Sequence, residues 1–240
     1  MRVAALVPAY QAAAHLGEVL LRLKALPAPP DTLVVDDGSR DATAEVARTF
    51  GARVHSFAAN RGKGFALLKG FELLSDYDAV VTLDADAQHP PECFPAFVAA
   101  AEAGADLVLG ARQRSPNMPG LRRFANWMSS GWTSTLAGCT VSDSQCGFRL
   151  YGRGVIRHTP MTAGRYELET EVIVRAARLG FRLSEVTVPT VYADETSQFR
   201  LGRDVPRIVG TMLRLSMEGL VPPAVMRAAR RAPRPGRVAP

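Results

Sequence analysis

Apolar residues in the first half of the chain fall into short unbroken runs, separated by segments with a helical period. Val3-Ala4-Ala5-Leu6-Val7 reads as a first buried strand. His15 to Leu26 places Leu16, Val19, Leu20 and Leu23 on one face, which predicts a helix. Thr32–Val35 is a second strand, stopped by Asp36-Asp37-Gly38-Ser39. Asp41 then has the character of an N-cap for a helix running to Phe50. Val54–Phe57 is a third strand, Lys63 to Leu74 a helix, and Ala79–Leu83 a fourth strand that ends at Asp84-Ala85-Asp86. Pro91 to Ala103 is helical and Leu107–Leu109 is a fifth strand. Repeated β-α-β units with short, wholly apolar strands predict an α/β fold. The expected core is a mostly parallel, doubly wound, Rossmann-like sheet with helices on both faces. Such sheets bind ligands beyond the carboxyl ends of their strands. The polar punctuation falls there, at Pro8-Ala9-Tyr10, Asp36-Asp37-Gly38 and Asp84-Ala85-Asp86.

The second half is less regular. Leu121 to Leu136 is a candidate amphipathic helix with Arg122, Arg123, Asn126 and Ser130 as its polar positions. Glu167 to Leu179 is another helix, with Gly180 as its C′ residue and a strand near Leu183–Val188 after it. Asp204 to Leu220 is a third helical pattern. Residues 227–240 are rich in Arg, Ala and Pro and read as a flexible tail. No internal repeat is visible.

The chain has 240 residues, 47% of them hydrophobic, so wholesale disorder is excluded. Its length allows most of the unfolded surface to be buried without a disulfide or structural metal. The net charge of +6 is uneven: residues 1–106 carry 9 Lys/Arg and 14 Asp/Glu, residues 107–226 carry 15 and 9, and residues 227–240 add five Arg and no acid. The three cysteines, Cys93, Cys139 and Cys146, form no CxxC pair and fit free thiols in a reducing compartment. Zinc-ligand spacing is missing. The first apolar run is too short for a signal-peptide core. Ile208 to Met226 contains Arg214, Glu218 and Pro222-Pro223, so no transmembrane helix is expected.

Asp84 and Asp86 stand two residues apart at a strand end, where both carboxylates point to one side. They repel unless a proton or cation lies between them. A hard divalent ion relieves this, and Gln88 offers a third oxygen. The plainer reading is a solvated acidic turn. Gly62-Lys63-Gly64 has the look of a phosphate loop but lacks the GxxxxGK[ST] pattern, and a helix start with small residues explains it equally well. Between Asp106 and Asp143 no acid occurs, while Arg112, Arg114, Arg122 and Arg123 do, followed by Ser129 and Ser130. Convergent Arg and Ser donors suit a phosphate; an exposed charged helix face is the alternative.

Several of these segments together resemble the successive motifs of family 2 glycosyltransferases. They are Val7-Pro8-Ala9-Tyr10, Val34-Val35-Asp36-Asp37-Gly38-Ser39, Asn60-Arg61-Gly62-Lys63-Gly64 and Asp84 to Glu92. Asp143-Ser144-Gln145-Cys146-Gly147-Phe148-Arg149 and Glu167-Leu168-Glu169-Thr170-Glu171 continue the likeness, which spans roughly residues 1–210. The branch most similar is that of the dolichol- and polyprenyl-phosphate sugar synthases. The resemblance implies a GT-A fold, a nucleotide-diphosphate sugar donor, Mg²⁺ or Mn²⁺, and inversion at the anomeric carbon. It implies nucleotide contacts from Pro8, Ala9, Tyr10, Asp37, Gly38, Lys63, Asp84 and Ala85. Asp37 matches the acid that accepts from a ring N–H of uracil or guanine; a turn-forming Asp before Gly is the competing reading. Asp84, Asp86 and Gln88 match the metal segment, with Asp86 and Gln88 as direct ligands.

On the acceptor side the resemblance implies a polyprenyl phosphate held by Arg112 or Arg114, Arg122 or Arg123, and Ser129 or Ser130. A glycan or glycolipid hydroxyl is the alternative acceptor. Asp143 would then be the general base, whereas a phosphate acceptor leaves it a positioning role. Ser197 and Arg200 match a loop that closes over the donor. No QxxRW motif follows, which argues against a processive polysaccharide synthase. A sugar nucleotidyltransferase would need a Gly-rich loop where Pro8-Ala9-Tyr10-Gln11 stands. The expected organisation is one domain over residues 1–220, with a donor half (1–106) and an acceptor half (107–220), then a basic tail over 221–240. The tail and the amphipathic segment 205–226 suit an anionic membrane surface, with packing on the core as the alternative for the helix. The expected location is the cytoplasm, with or without attachment to the inner face of the membrane. No nucleic-acid motif accompanies the basic residues, so no nucleic-acid partner is expected.

Overall fold

Alternate residues of the first strand, β1 (Val3–Ala9), face opposite ways. Ala4 and Leu6 join one apolar cluster; Ala5, Val7 and Ala9 join another. The strand is therefore buried on both faces and sits in the middle of a sheet. A computed structural model describes residues 1–112, 120–162, 164, 167–189, 201–220 and 226. The remaining strands are β2 (Asp31–Asp36), β3 (Arg53–Ser56), β4 (Ala79–Thr82), β5 (Leu107–Arg112), β6 (Arg149–Gly152) and β7 (Leu183–Val188). Their order across the sheet is β3-β2-β1-β4-β6-β5-β7. β1 pairs in parallel with β2 and β4, β2 with β3, and β5 with β7, while β6 is antiparallel to both β4 and β5.

Helices cover both faces. On one side α1 (Ala13–Lys24), α2 (Thr43–Thr49) and α4 (Phe94–Glu102) bury Leu16, Val19, Ala47 and Phe97 against Val7, Val81 and Phe148. On the other, α3 (Lys63–Leu73), α6 (Arg153–His158) and α7 (Glu167–Arg178) bury Leu67, Phe71, Val155 and Val172 against Leu6, Val80 and Tyr151. Helix α5 (Gly120–Ala137) packs on α7, and α8 (Leu201–Leu220) packs on both. α7 ends as its Gly180 predicts: Gly180 has a positive φ, its N–H donates to Ala177, and Phe181 N–H donates to Ala176. This is the Schellman arrangement.

The sheet is mostly parallel, as expected, with β6 its one antiparallel strand among the described residues; neither β6 nor the short α6 is signalled by the sequence pattern. Two expectations need correction. Asp41 does not occupy the N-cap of α2; Ala42 does. The Asp41 carboxylate instead accepts from the Thr43 and Ala13 N–H groups, each at 3.1 Å, and so links the starts of two helices. In α5 the middle of the expected polar face points inward. Ser130 and Thr133 are buried, whereas Trp127 and Met128 are exposed. Ser130 and the half-buried Ser134 are satisfied by the loop they face, Ser144 N–H donating to Ser130 Oγ at 3.1 Å and Val141 N–H to Ser134 Oγ at 2.9 Å, while Thr133 donates to the Ser129 carbonyl at 2.7 Å.

Helix α8 also packs on the protein. Thr211, Met212 and Leu215 are buried, and Arg214 pairs with Glu171 at 2.8 Å. Met226, within the stretch expected as tail, is buried; residues 227–240 lie outside the described residues. Among the described residues, no helix is long and apolar enough to cross a membrane.

Candidate active site

The carboxyl ends of β2, β1 and β4 lie side by side, so the polar residues that follow them share one edge. Ala9 is buried at the end of β1, with Pro8 before it and the half-buried Tyr10 after it. Asp37 follows β2 and is also buried. Its Oδ1 accepts from Arg61 N–H and its Oδ2 from Gly62 N–H, both at 2.7 Å. The side chain expected to meet a base thus clamps the 60–62 loop. Gly38 beside it has φ +72°, and a Cβ there would lie 2.7 Å from Asn60 N. Only glycine fits without moving that loop.

β6 explains the rest of the assembly. Being antiparallel, it starts where β4 and β5 end: Arg149 pairs with Thr82 on one side and Leu109 on the other. The preceding residues 143–147 therefore arrive between Asp84 and Arg112. Gly147 is the point of closest approach, since a Cβ there would lie 2.8 Å from both Asp84 Oδ1 and Lys63 Nζ. Arg149 itself is fully buried and faces no ligand. Its Nε, Nη1 and Nη2 donate to the carbonyls of Cys146, Glu169 and Ser144 at 2.7, 2.6 and 2.8 Å. It ties the 143–147 loop to the start of α7.

Lys63, the first residue of α3, reaches Asp84 Oδ1 at 2.6 Å and Glu169 Oε1 at 3.2 Å. Burial works against the ammonium, but Asp84 and Glu169 outweigh it and hold the Lys63 pKa above its ordinary value. Burial likewise opposes the Asp84 charge, and Lys63 outweighs it, so the carboxyl stays below the usual range. Asp86 is half-buried and accepts from Gln88 N–H at 3.1 Å. The turn between them needs a left-handed residue, Ala87 at φ 57°. Ala85 is buried. His89 is buried too, and its Nδ1 has no hydrogen-bond partner among the described residues. Burial lowers its pKa, with Asp84 opposing, so the ring is neutral at pH 7.

Arg112, at the end of β5, holds Asp143 with two side-chain bonds, Nε–Oδ2 at 2.6 Å and Nη2–Oδ1 at 3.1 Å. Burial opposes the Asp143 charge, but Arg112 prevails and keeps the carboxyl below its ordinary range. Ser129 Oγ lies 3.1 Å from Ser144 Oγ and accepts from Gln145 Nε2 at 3.1 Å. The structure thus gathers Asp37, Lys63, Asp84, Asp86 and Gln88 beyond the strand ends, and joins Arg112, Ser129 and Ser130 through the 143–145 loop. The side chains of Arg114, Arg122, Arg123, Ser197 and Arg200 lie outside the described residues.

No group of three or more His, Cys, Asp or Glu side chains encloses a cation site among the described residues. The donor set is two carboxylates and an amide oxygen, one carboxylate already partnered by lysine. That set fits a hard divalent ion that takes the rest of its oxygens from water and a ligand's phosphates. Glu169, His89 and Gly147 received no role from sequence reasoning. All three lie inside the quoted motifs, which was the available signal.

A family model described as glycosyl transferase family 2 matches residues 4–170. The chain is 33% identical over 205 residues to an undecaprenyl-phosphate mannosyltransferase of Micrococcus luteus, covering 80% of this chain and 84% of that one. It is 32% identical over 188 residues to a dolichyl-phosphate hexose transferase of Haloferax volcanii, covering 78% and 80%. In fold it is similar to the glucosyl-3-phosphoglycerate synthase of Mycobacterium tuberculosis, solved with Mn²⁺, UDP-glucose and phosphoglyceric acid. The TM-score is 0.75 at 22% identity, covering 92% and 81% of the chains.

Proposed function

The chain belongs to glycosyl transferase family 2, and from that premise we propose that it moves a sugar from a nucleotide-diphosphate sugar to a polyprenyl phosphate, inverting the anomeric carbon. The observation that carries the acceptor assignment is the Arg112–Asp143 pair. Both Asp143 oxygens are held by one guanidinium, and a carboxylate kept ionised this way is a weak base. A hydroxyl nucleophile needs a base. A phosphate monoester, with a second pKa near about 6, is already ionised at neutral pH and needs none. The acceptors in the names of the Micrococcus and Haloferax relatives agree with this reading.

On the donor side, Pro8, Ala9 and Tyr10 flank the nucleoside, with Asp37 and Gly38 shaping the pocket for the base. Asp86 and Gln88 are the residues that would hold Mg²⁺ or Mn²⁺, and Asp84 and Ala85 complete that edge. When bound, the ion supplies Lewis-acid stabilisation of the departing diphosphate. Residues 1–106 form the donor half and residues 107–220 the acceptor half. Arg112 with Ser129 and Ser130 orients the acceptor phosphate, joined by Arg114, Arg122 and Arg123, while Ser197 and Arg200 close over the donor. The lipid finds an apolar surface at the exposed Trp127 and Met128, next to Ser129, and along Val209, Leu213 and Met217 of α8. Spaced four apart, these three form one stripe. Together with the five tail arginines they suit the anionic face of a membrane.

A donor screen tests the reading. A UDP- or GDP-sugar should raise the melting temperature only with Mn²⁺ or Mg²⁺, and sugar transfer to polyprenyl phosphate should vanish with a chelator or in Asp86→Ala. Transfer that survives both would contradict it.

A further inference from the structure

Lys63 is placed unlike a surface lysine. Its ammonium bridges Asp84 at 2.6 Å and Glu169 at 3.2 Å, with side-chain exposures of 16%, 27% and 7% for the three groups. Glu169 comes from the first turn of α7 and Asp84 from the segment that follows β4, so the lysine joins two elements distant in sequence. The missing Cβ of Gly147 is what lets both charged groups lie this close to the loop. The lysine thus stands where carboxylates would otherwise face each other uncompensated, at the rim where the Asp84 side chain remains partly open.

We propose that Lys63 is the site's internal counter-cation: it holds Asp84 and Glu169 until a metal-bound nucleotide diphosphate arrives, then turns its ammonium to the diphosphate, so that the divalent ion and the nucleotide bind as coupled ligands. The proposal rests on the reading of this site as one for a metal-bound nucleotide sugar. A divalent ion arriving alone meets a like charge on the same carboxylate edge, and Asp84 is already occupied. An ion arriving with a diphosphate brings the anion that draws Lys63 away. By linkage, whatever strengthens one ligand strengthens the other equally. Glu169 is a positioning residue in this scheme: it is the second anchor that keeps Lys63 at Asp84.

Mn²⁺ binding, followed by the EPR signal of the free ion, tests this apart from catalysis. In the wild-type protein, Mn²⁺ affinity should rise at least about tenfold when UDP or GDP is present, after correction for the Mn²⁺–nucleotide complex in solution. Without nucleotide, Lys63→Met should bind Mn²⁺ at least about tenfold more tightly than wild type, and its coupling to nucleotide should shrink. Lys63→Arg should keep the wild-type behaviour. Equal Mn²⁺ affinity with and without nucleotide in the wild-type protein would overturn the proposal, a result that does not depend on any variant folding. Unchanged or weaker nucleotide-free affinity in a folded Lys63→Met would overturn it as well. If neither UDP nor GDP binds at any Mn²⁺ concentration, the donor-site reading itself fails. If nucleotide binds but the coupling is missing, only the counter-cation role fails.

Discussion

Gly147→Ala is the smallest change that reaches the centre of the site. The new Cβ would lie 2.8 Å from Asp84 Oδ1 and 2.8 Å from Lys63 Nζ. Ordinary contact needs about 3.4 Å or more, so the 2.6 Å ion pair must open or the loop must shift. A hydrogen bond to a charged group contributes about 1.5–3 kcal/mol, and the partial exposure of Asp84 puts the pair toward the lower end. A loss of about 1–2 kcal/mol follows. For a protein of this size that lowers Tm by roughly 2–8 °C. Transfer should fall further, on the order of 100-fold, because a displaced Asp84 misplaces the donor. Gly131→Ala is the control. A Cβ there meets nothing within 4 Å in mid-α5, and gaining a helix-favouring residue should add up to about 1 kcal/mol. Melting curves and initial rates for both variants decide the matter. A Gly147→Ala protein with wild-type Tm and rate would refute the account of this loop.

Three further outcomes are expected. Glu171 is fully buried and binds Arg175, Arg214 and the Thr162 N–H, so Glu171→Gln should cost about 3–5 kcal/mol in urea unfolding, as breaking a buried pair does. Because the folded Asp84 carboxyl is held below its unfolded value of about 3.9, its contribution is present above about pH 4 and is lost as pH falls through the folded pKa. The acid limb of a stability-versus-pH curve should accordingly flatten in Asp84→Asn. Cys146 is buried and its thiol is pushed up to about 12, so a thiol reagent at pH 8 should label exposed Cys139 in the native protein and Cys146 only after unfolding.

The donor edge was readable from the chain because it depends on local pattern. Apolar strands ending at Asp36-Asp37-Gly38 and Asp84-Ala85-Asp86 place those residues by topology alone. What lay beyond reach was the pairing between distant segments. Arg149–Gly152 is too short and too mixed to announce a strand, and its antiparallel insertion between β4 and β5 is what delivers residues 143–147 to the site. Partners of charged residues were equally hidden. In the sequence Arg112 carries no sign of the Asp143 that holds part of its guanidinium, and Lys63 reads as a helix start or phosphate-loop residue until Asp84 and Glu169 close around it. The inward face of α5 was misjudged for the same reason: Ser130 counts as polar in a helical period, but the 141–145 loop supplies partners for it and for Ser134, while the buried Thr133 donates to the Ser129 carbonyl inside the helix.

The central claim, sugar transfer onto a lipid phosphate, is tested most directly by the phosphorus-31 spectrum of the acceptor. Polyprenyl phosphate, the matching donor and Mn²⁺ or Mg²⁺ should be incubated with the protein and the extracted lipid examined, with the metal removed before measurement. The account predicts that the phosphomonoester signal is replaced by that of a sugar-bearing phosphodiester. A phosphomonoester left unchanged while the same protein glycosylates a hydroxyl acceptor would contradict it.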